Sequence, residues 1–202
     1  IKKEIEETYN TDCEYVALDV RDVKQWQNVV DFVNRRFGRI DALIQCAGVM
    51  VSTYMRNGLV ESWDKMVDIN IKGITNGIAS VLPTMRKQKK GDIINISSDA
   101  GREVFETLSV YSGTKAAVEF ITKGTRKELF GENIRLSTIQ PGDVATEILE
   151  DFNQPDRSQG VYDKSMLLKK ILEPEDIAKL VFVQLTAPRH VGVWEILVEP
   201  TE

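Results

Sequence analysis

A tyrosine and a lysine four residues apart, Tyr111 and Lys115, open a helical pattern that runs to Gly131. Residues at i and i+4 share one face of a helix, so an ammonium can sit beside a phenol. A phenol with an ordinary pKa of about 10 is a poor base near neutrality. A neighbouring cation favours its ionised form, which makes a tyrosine usable for general acid–base chemistry. Such a pair arises easily by chance in a chain with 26 basic residues. Its company gives it weight. Ser98 lies thirteen residues before Tyr111, and Asn70 stands in the run Asp68-Ile69-Asn70-Ile71-Lys72-Gly73. Short turns fall at Asp19-Val20, Gln45-Cys46-Ala47-Gly48 and Pro141-Gly142.

The elements that must position these residues alternate between strand and helix. Residues 14–20 and 41–46 read as short strands, as do 92–97, 133–140 and 193–198. Between them, Asp22 can cap a helix that Gly38 ends. Further helical patterns cover residues 62–90, with Pro83 as an expected kink, then 111–130 and 174–185. Strands that are nearly continuous apolar runs, joined by helices, indicate a parallel sheet covered on both faces. The expected fold is therefore α/β, a doubly wound parallel sheet in three layers, within a single domain over residues 1–202. Ligands of such sheets bind beyond the carboxyl ends of the strands. Every residue singled out above falls at such an end or on the helix that follows.

Composition narrows the partners. The chain has 202 residues, 42% of them hydrophobic, enough for one large core. A net charge of −5 without a basic stripe points away from nucleic acid and anionic membrane. The basic run from Arg86 to Lys90 ends a helical pattern, where cations complement the helix dipole. No apolar stretch approaches the ~20 residues of a membrane span. Two cysteines, Cys13 and Cys46, do not make a disulfide framework, and a cytoplasmic location is expected. Cys46 is expected to be a buried structural thiol. His190 is the sole histidine and no cluster has zinc spacing, so no metal site is expected.

Taken in order, these motifs resemble the classical short-chain dehydrogenase/reductase family over residues 1–202. The resemblance implies a Rossmann fold and hydride transfer between a nicotinamide cofactor and a small carbonyl or alcohol. It makes Tyr111 the acid/base and gives Lys115 a second task at the nicotinamide ribose. Ser98, which family spacing selects over Ser97, would hold the substrate oxygen, and Asn70 would fix a water linking Lys115 to solvent. Asn is a poor helix former, so a local interruption of the helix is expected at Asn70. Cofactor contacts are implied for Asp19 at the adenine amino group and for Val20 on the ring. Main-chain approach is implied at Cys46, Ala47 and Gly48, and nicotinamide contacts at Pro141, Gly142, Val144 and Thr146. The family usually carries two asparagines where this chain has Gln45 and Cys46, which puts the hydrogen bonds that bridge the sheet in question.

The resemblance also implies a strand, a glycine-rich turn, a helix and a second strand ahead of Ile1. These would grip the cofactor phosphates and read the ribose 2′ position. The domain is thus expected to be incomplete at its start, and residues 14–20 to lack a sheet neighbour. The tail 193–201 and the Asp19-Val20-Arg21 run resemble a subgroup of the family that is mostly NADP-linked, which implies NADP over NAD. A homotetramer or homodimer is expected, and residues 147–172 should cover the active site. The competing reading is a catalytically silent cofactor-binding or regulatory module of the same fold.

Overall fold

The structure, a computed structural model, describes residues 2–150 and 171–201. The chain opens on a short polar helix, α1 (Lys2–Tyr9), and then runs irregularly to Asp22. The predicted strand over 14–20 is not formed. A strand needs a neighbour for its N–H and C=O groups, and here the segment runs outside the sheet with Tyr15 82% exposed. Ion pairs hold it instead: Glu14 with Lys2 at 2.7 Å, and Asp12 with Arg36 at 2.7 Å.

Helix α2 (Val23–Phe37) begins and ends where local chemistry requires. The Asp22 carboxylate accepts from the N–H groups of Lys24 and Gln25 at 2.8 and 3.1 Å. Gly38 stops the helix at φ +76°, in the left-handed region that glycine enters without strain. Four parallel strands then form one sheet in sequence order: β1 (Ala42–Gln45), β2 (Gly91–Ile96), β3 (Ile134–Pro141) and β4 (Glu195–Val198). Between β1 and β2 lie α3 (Val60–Val67), a π-helical turn (Asp68–Lys72) and α4 (Gly73–Gln88). Helix α5 (Ser109–Glu128) joins β2 to β3. The short α6 (Glu147–Glu150) and α7 (Pro174–Thr186) precede β4.

Side chains alternate between the faces of the sheet. On one face, Ile93 and Leu136 pack with Ile74, Ile78, Val81 and Met85 of α4, Val118 of α5 and Val30 of α2. Pro83 lies inside α4, where its missing N–H removes one intrahelical bond. Helix α7 flanks the other face, and its Gln184 donates to the carbonyls of Thr138 and Val193 at 3.3 and 3.2 Å. At the amino ends of the strands, Asp92 receives Arg135 at 2.6 Å and Arg189 at 2.7 Å. The same Arg135 guanidinium donates to the carbonyls of Leu185, Ala187 and Val191, capping the exit of α7. The carboxyl ends of the strands are left for the site.

Sheet bridging survives the exchange of asparagine for glutamine. The Gln45 amide donates to Asn95 Oδ1 at 2.9 Å and to the Ile74 carbonyl at 3.2 Å, joining β1 to β2 and α4. Gln is one methylene longer than Asn, and Gly77 supplies the room. A Cβ there would collide with Gln45 Oε1 and come within 3.0 Å of the Trp26 ring.

Candidate active site

A cleft of about 1450 Å³ opens beyond the carboxyl ends of β1, β2 and β3. Its wall includes Cys46 and Gly48 after β1, Ser98 after β2, and Tyr111 and Lys115 on the first turns of α5. Pro141, Gly142, Val144 and Thr146 line it after β3. Ile44 and Ile96, with Ile177 and Val181 of α7, give it an apolar part. The sheet thus brings most of the predicted constellation to one place.

Tyr111 is 6% exposed, and no described residue hydrogen-bonds its hydroxyl. The Lys115 ammonium lies 5.6 Å from the Tyr111 ring centroid, as the i, i+4 spacing requires. It donates to the Ile96 carbonyl at 3.1 Å, which fixes a long side chain that would otherwise wander. One bond leaves two of its three N–H donors for ligands. A hydroxyl-bearing ribose fits that surplus, and Gly48 keeps the approach open. A Cβ built at Gly48 would stand 3.7 Å from the Lys115 ammonium and 3.5 Å from Asn70 Oδ1.

The helix is interrupted where the sequence predicts. The π-helical turn Asp68–Lys72 contains Asn70, which is 2% exposed. Its amide closes a two-way pair with the backbone of Val49, accepting from the N–H and donating to the carbonyl, both at 2.9 Å. Its second N–H donates to Thr114 Oγ1 at 3.1 Å, and that hydroxyl donates to the Tyr111 carbonyl at 2.7 Å. Both donors of the Asn70 amide are therefore spent, and what they pin is the glycine turn beside Lys115. Thr114 was not among the sequence candidates. Its place three residues after Tyr111, on the helix face turned toward Asn70, is the signal that could have marked it.

Ser98 caps the short 3-10 turn Asp99–Gly101, accepting from the Ala100 N–H at 3.2 Å. Its hydroxyl donates to Asp99 Oδ1 at 2.8 Å. Ser97 also lines the cleft, but its hydroxyl is engaged, donating to the Lys115 carbonyl at 3.3 Å. Asp143, next to Gly142, also lines the cleft. Burial, and secondarily the Asp99 carboxylate, push Asp143 above the usual carboxylate range. Neither Asp99 nor Asp143 was singled out from the sequence.

Four candidates stand apart from the cleft wall: Asn70, behind the glycine turn, and Asp19, Val20 and Ala47. Asp19 is engaged by Arg21, whose guanidinium approaches both carboxylate oxygens at 2.6–3.1 Å and holds its pKa down to about 2. Val20 packs on Gly73, and its carbonyl accepts from Trp26 Nε1 at 3.0 Å and Asn76 Nδ2 at 3.1 Å. Ala47 is exposed beside Cys46. Cys46 corrects an expectation. It is an exposed thiol on the cleft rather than a buried one, because β1 is an edge strand and ends one residue earlier. The segment expected to cover the site falls mostly at 151–170, outside the described residues. No group of three metal-ligating side chains occurs among the described residues, and no described helix is long and apolar enough to cross a membrane.

Comparison with known proteins bears on the family and the fold. A family model described as short chain dehydrogenase matches residues 1–157. An uncharacterized oxidoreductase of Staphylococcus aureus (strain USA300) is 40% identical over 185 residues, covering 92% of this chain and 75% of that protein. Glycine betaine reductase of Emericella nidulans is 40% identical over 184 residues, which is 91% of this chain and 14% of that much longer protein. Among solved structures, the closed form of serine dehydrogenase complexed with NADP+ is similar, with a TM-score of 0.86 at 28% identity. It is covered over 80% of its length by 98% of this chain. ElxO with NADP bound gives a TM-score of 0.83 at 26% identity, with 97% of this chain on 82% of that one.

Proposed function

The chain belongs to the short chain dehydrogenase family, and on that premise we propose that it interconverts a small carbonyl compound and its alcohol, with Tyr111 as acid/base. The observation that carries this reading is the hydroxyl of a nearly buried Tyr111, bonded by no described residue and lining the cleft beside a fixed ammonium. A nicotinamide cofactor would supply or accept the hydride. Lys115, with two free donors, and the open turn Cys46-Ala47-Gly48 would hold its ribose, while Pro141, Gly142, Val144 and Thr146 would line the nicotinamide. NADP is favoured because both structures cited above carry it. Asp19 and Val20 are the proposed adenine contacts.

In the reducing direction, Tyr111 gives its proton to the carbonyl oxygen as negative charge develops there. Ser98 donates a hydrogen bond to the same oxygen, for which its proton must leave Asp99. Lys115 holds positive charge beside the phenol throughout. Asn70, with its amide donors spent, offers its main-chain carbonyl and one lone pair of Oδ1 to a water that returns the proton from solvent. The protein as a cytoplasmic homotetramer or homodimer completes the reading.

The test is a panel of carbonyls and alcohols offered with NADPH, NADH and their oxidised forms, followed by nicotinamide absorbance. Turnover with NADP(H) ahead of NAD(H) is the expected result. Absence of turnover across a broad panel, with cofactor bound, would overturn the proposal.

A further inference from the structure

The charge on the cleft is lopsided. Six carboxylates line it, from Asp99, Glu103, Glu106, Asp143, Glu147 and Glu199. Among the described residues of the wall, Lys115 is the one cation. Two of the six flank the turn that carries the proposed nicotinamide contacts. Asp99 Oδ2 stands 3.5 Å from the position of a Cβ on Gly142, and Asp143 follows Gly142 in the chain. No described donor reaches the Asp143 carboxylate, although the residue is partly buried and faces the charge of Asp99. Like charges held together and partly desolvated are costly unless a cation joins them. Independently, the partnerless Tyr111 hydroxyl points to an oxygen-bearing ligand in the same cleft.

From these two observations we infer that the substrate is a cationic carbonyl or alcohol, bearing a protonated amine or quaternary ammonium group that Asp99 and Asp143 receive. The inference rests on the reductase reading of the cleft and names its substrate class. It also explains the resting position of Ser98. The Ser98 hydroxyl donates to Asp99 Oδ1. A cation drawn to Asp99 weakens that acceptor and frees the Ser98 proton for the substrate oxygen, so recognition of charge and arming of the site are one event.

The experiment uses the protein at its natural full length, loaded with NADP, and pairs of alcohols alike in shape but unlike in charge. The pairs are choline with 3,3-dimethylbutan-1-ol, 1-amino-2-propanol with 2-butanol, and 4-(aminomethyl)benzyl alcohol with 4-ethylbenzyl alcohol. Binding is read by calorimetry and turnover by nicotinamide absorbance. The cationic member is expected to lead in at least one pair by about tenfold in affinity or kcat/KM, and to trail in none. Asp143→Asn, nearly isosteric, should shrink that ratio to within about threefold. Neutral members that match or lead their cationic partners overturn the inference while leaving the reductase reading intact. Cationic members that bind without being turned over do the reverse. If no member binds, the inference falls.

Discussion

At the scale of single residues, the site is organised by which polar atoms are already satisfied. Asn70 and Thr114 have spent their donors on the framework; Tyr111 has not. Asn70 was legible from the sequence because an asparagine inside a helical pattern breaks the local rule, and a local rule broken in this way often marks function. Asp143 was not legible, since an aspartate after a Pro-Gly turn is unremarkable until its neighbours are known. Its environment gives a prediction with a definite sign. Burial and Asp99 raise its pKa in the folded chain, so the folded state binds more protons than the unfolded one between the two values. Stability then falls as pH rises from the ordinary value of about 3.9 through the folded one, and the cost persists above it. Asp143→Asn should therefore stabilise the fold at pH 7, by less than about 1 kcal/mol because the half-exposed carboxyl is screened, with a matching small rise in Tm. Thermal melts from pH 3 to 8 should show the gain vanish at the acid end. A variant less stable at pH 7 would contradict the account.

At the scale of elements, periodicity and turn residues located six of the helices and strands that frame the cleft to within two residues. The failure at 14–20 has a physical cause. A β-branched run forms a strand when another strand pairs with it, and propensity alone does not supply the partner. The long helical pattern before β2 was legible as one unit with an interruption at Asn70; the partner that holds the π-helical turn, the backbone of Val49, lies twenty-one residues away in sequence and was not. The fit between β1 and α4 can be tested through Gly77. Gly77→Ala should cost about 1–3 kcal/mol, as overpacking does, because the new methyl meets Gln45 Oε1 and Trp26. Shortening the opposing side chain in Gly77→Ala/Gln45→Asn should recover part of that loss in chemical denaturation. Equal stability of Gly77→Ala and the parent would show that the contact is slack.

At the scale of the molecule, the amino ends of the strands are fastened and the carboxyl ends are kept for chemistry. Strand alternation and the location of the site beyond the carboxyl ends follow from sequence pattern. The fastening does not, because Asp92, Arg135 and Arg189 lie far apart in the chain and resemble ordinary surface charges. Asp92 is mostly buried between the two guanidinium groups. Removing it strands a buried positive charge, so Asp92→Ala should cost about 3–5 kcal/mol, measured by denaturant titration. A loss under about 1 kcal/mol would mean that the pairs behave as exposed ones do.

The central claim, that Tyr111 moves the proton, is tested most directly by Tyr111→Phe, which deletes one oxygen from a buried ring. Turnover by the variant and parent should be compared with NADP(H), alongside cofactor affinity. In the variant kcat should fall by about 10²–10⁴-fold while cofactor affinity stays within about threefold. Turnover near the parent level would contradict that claim.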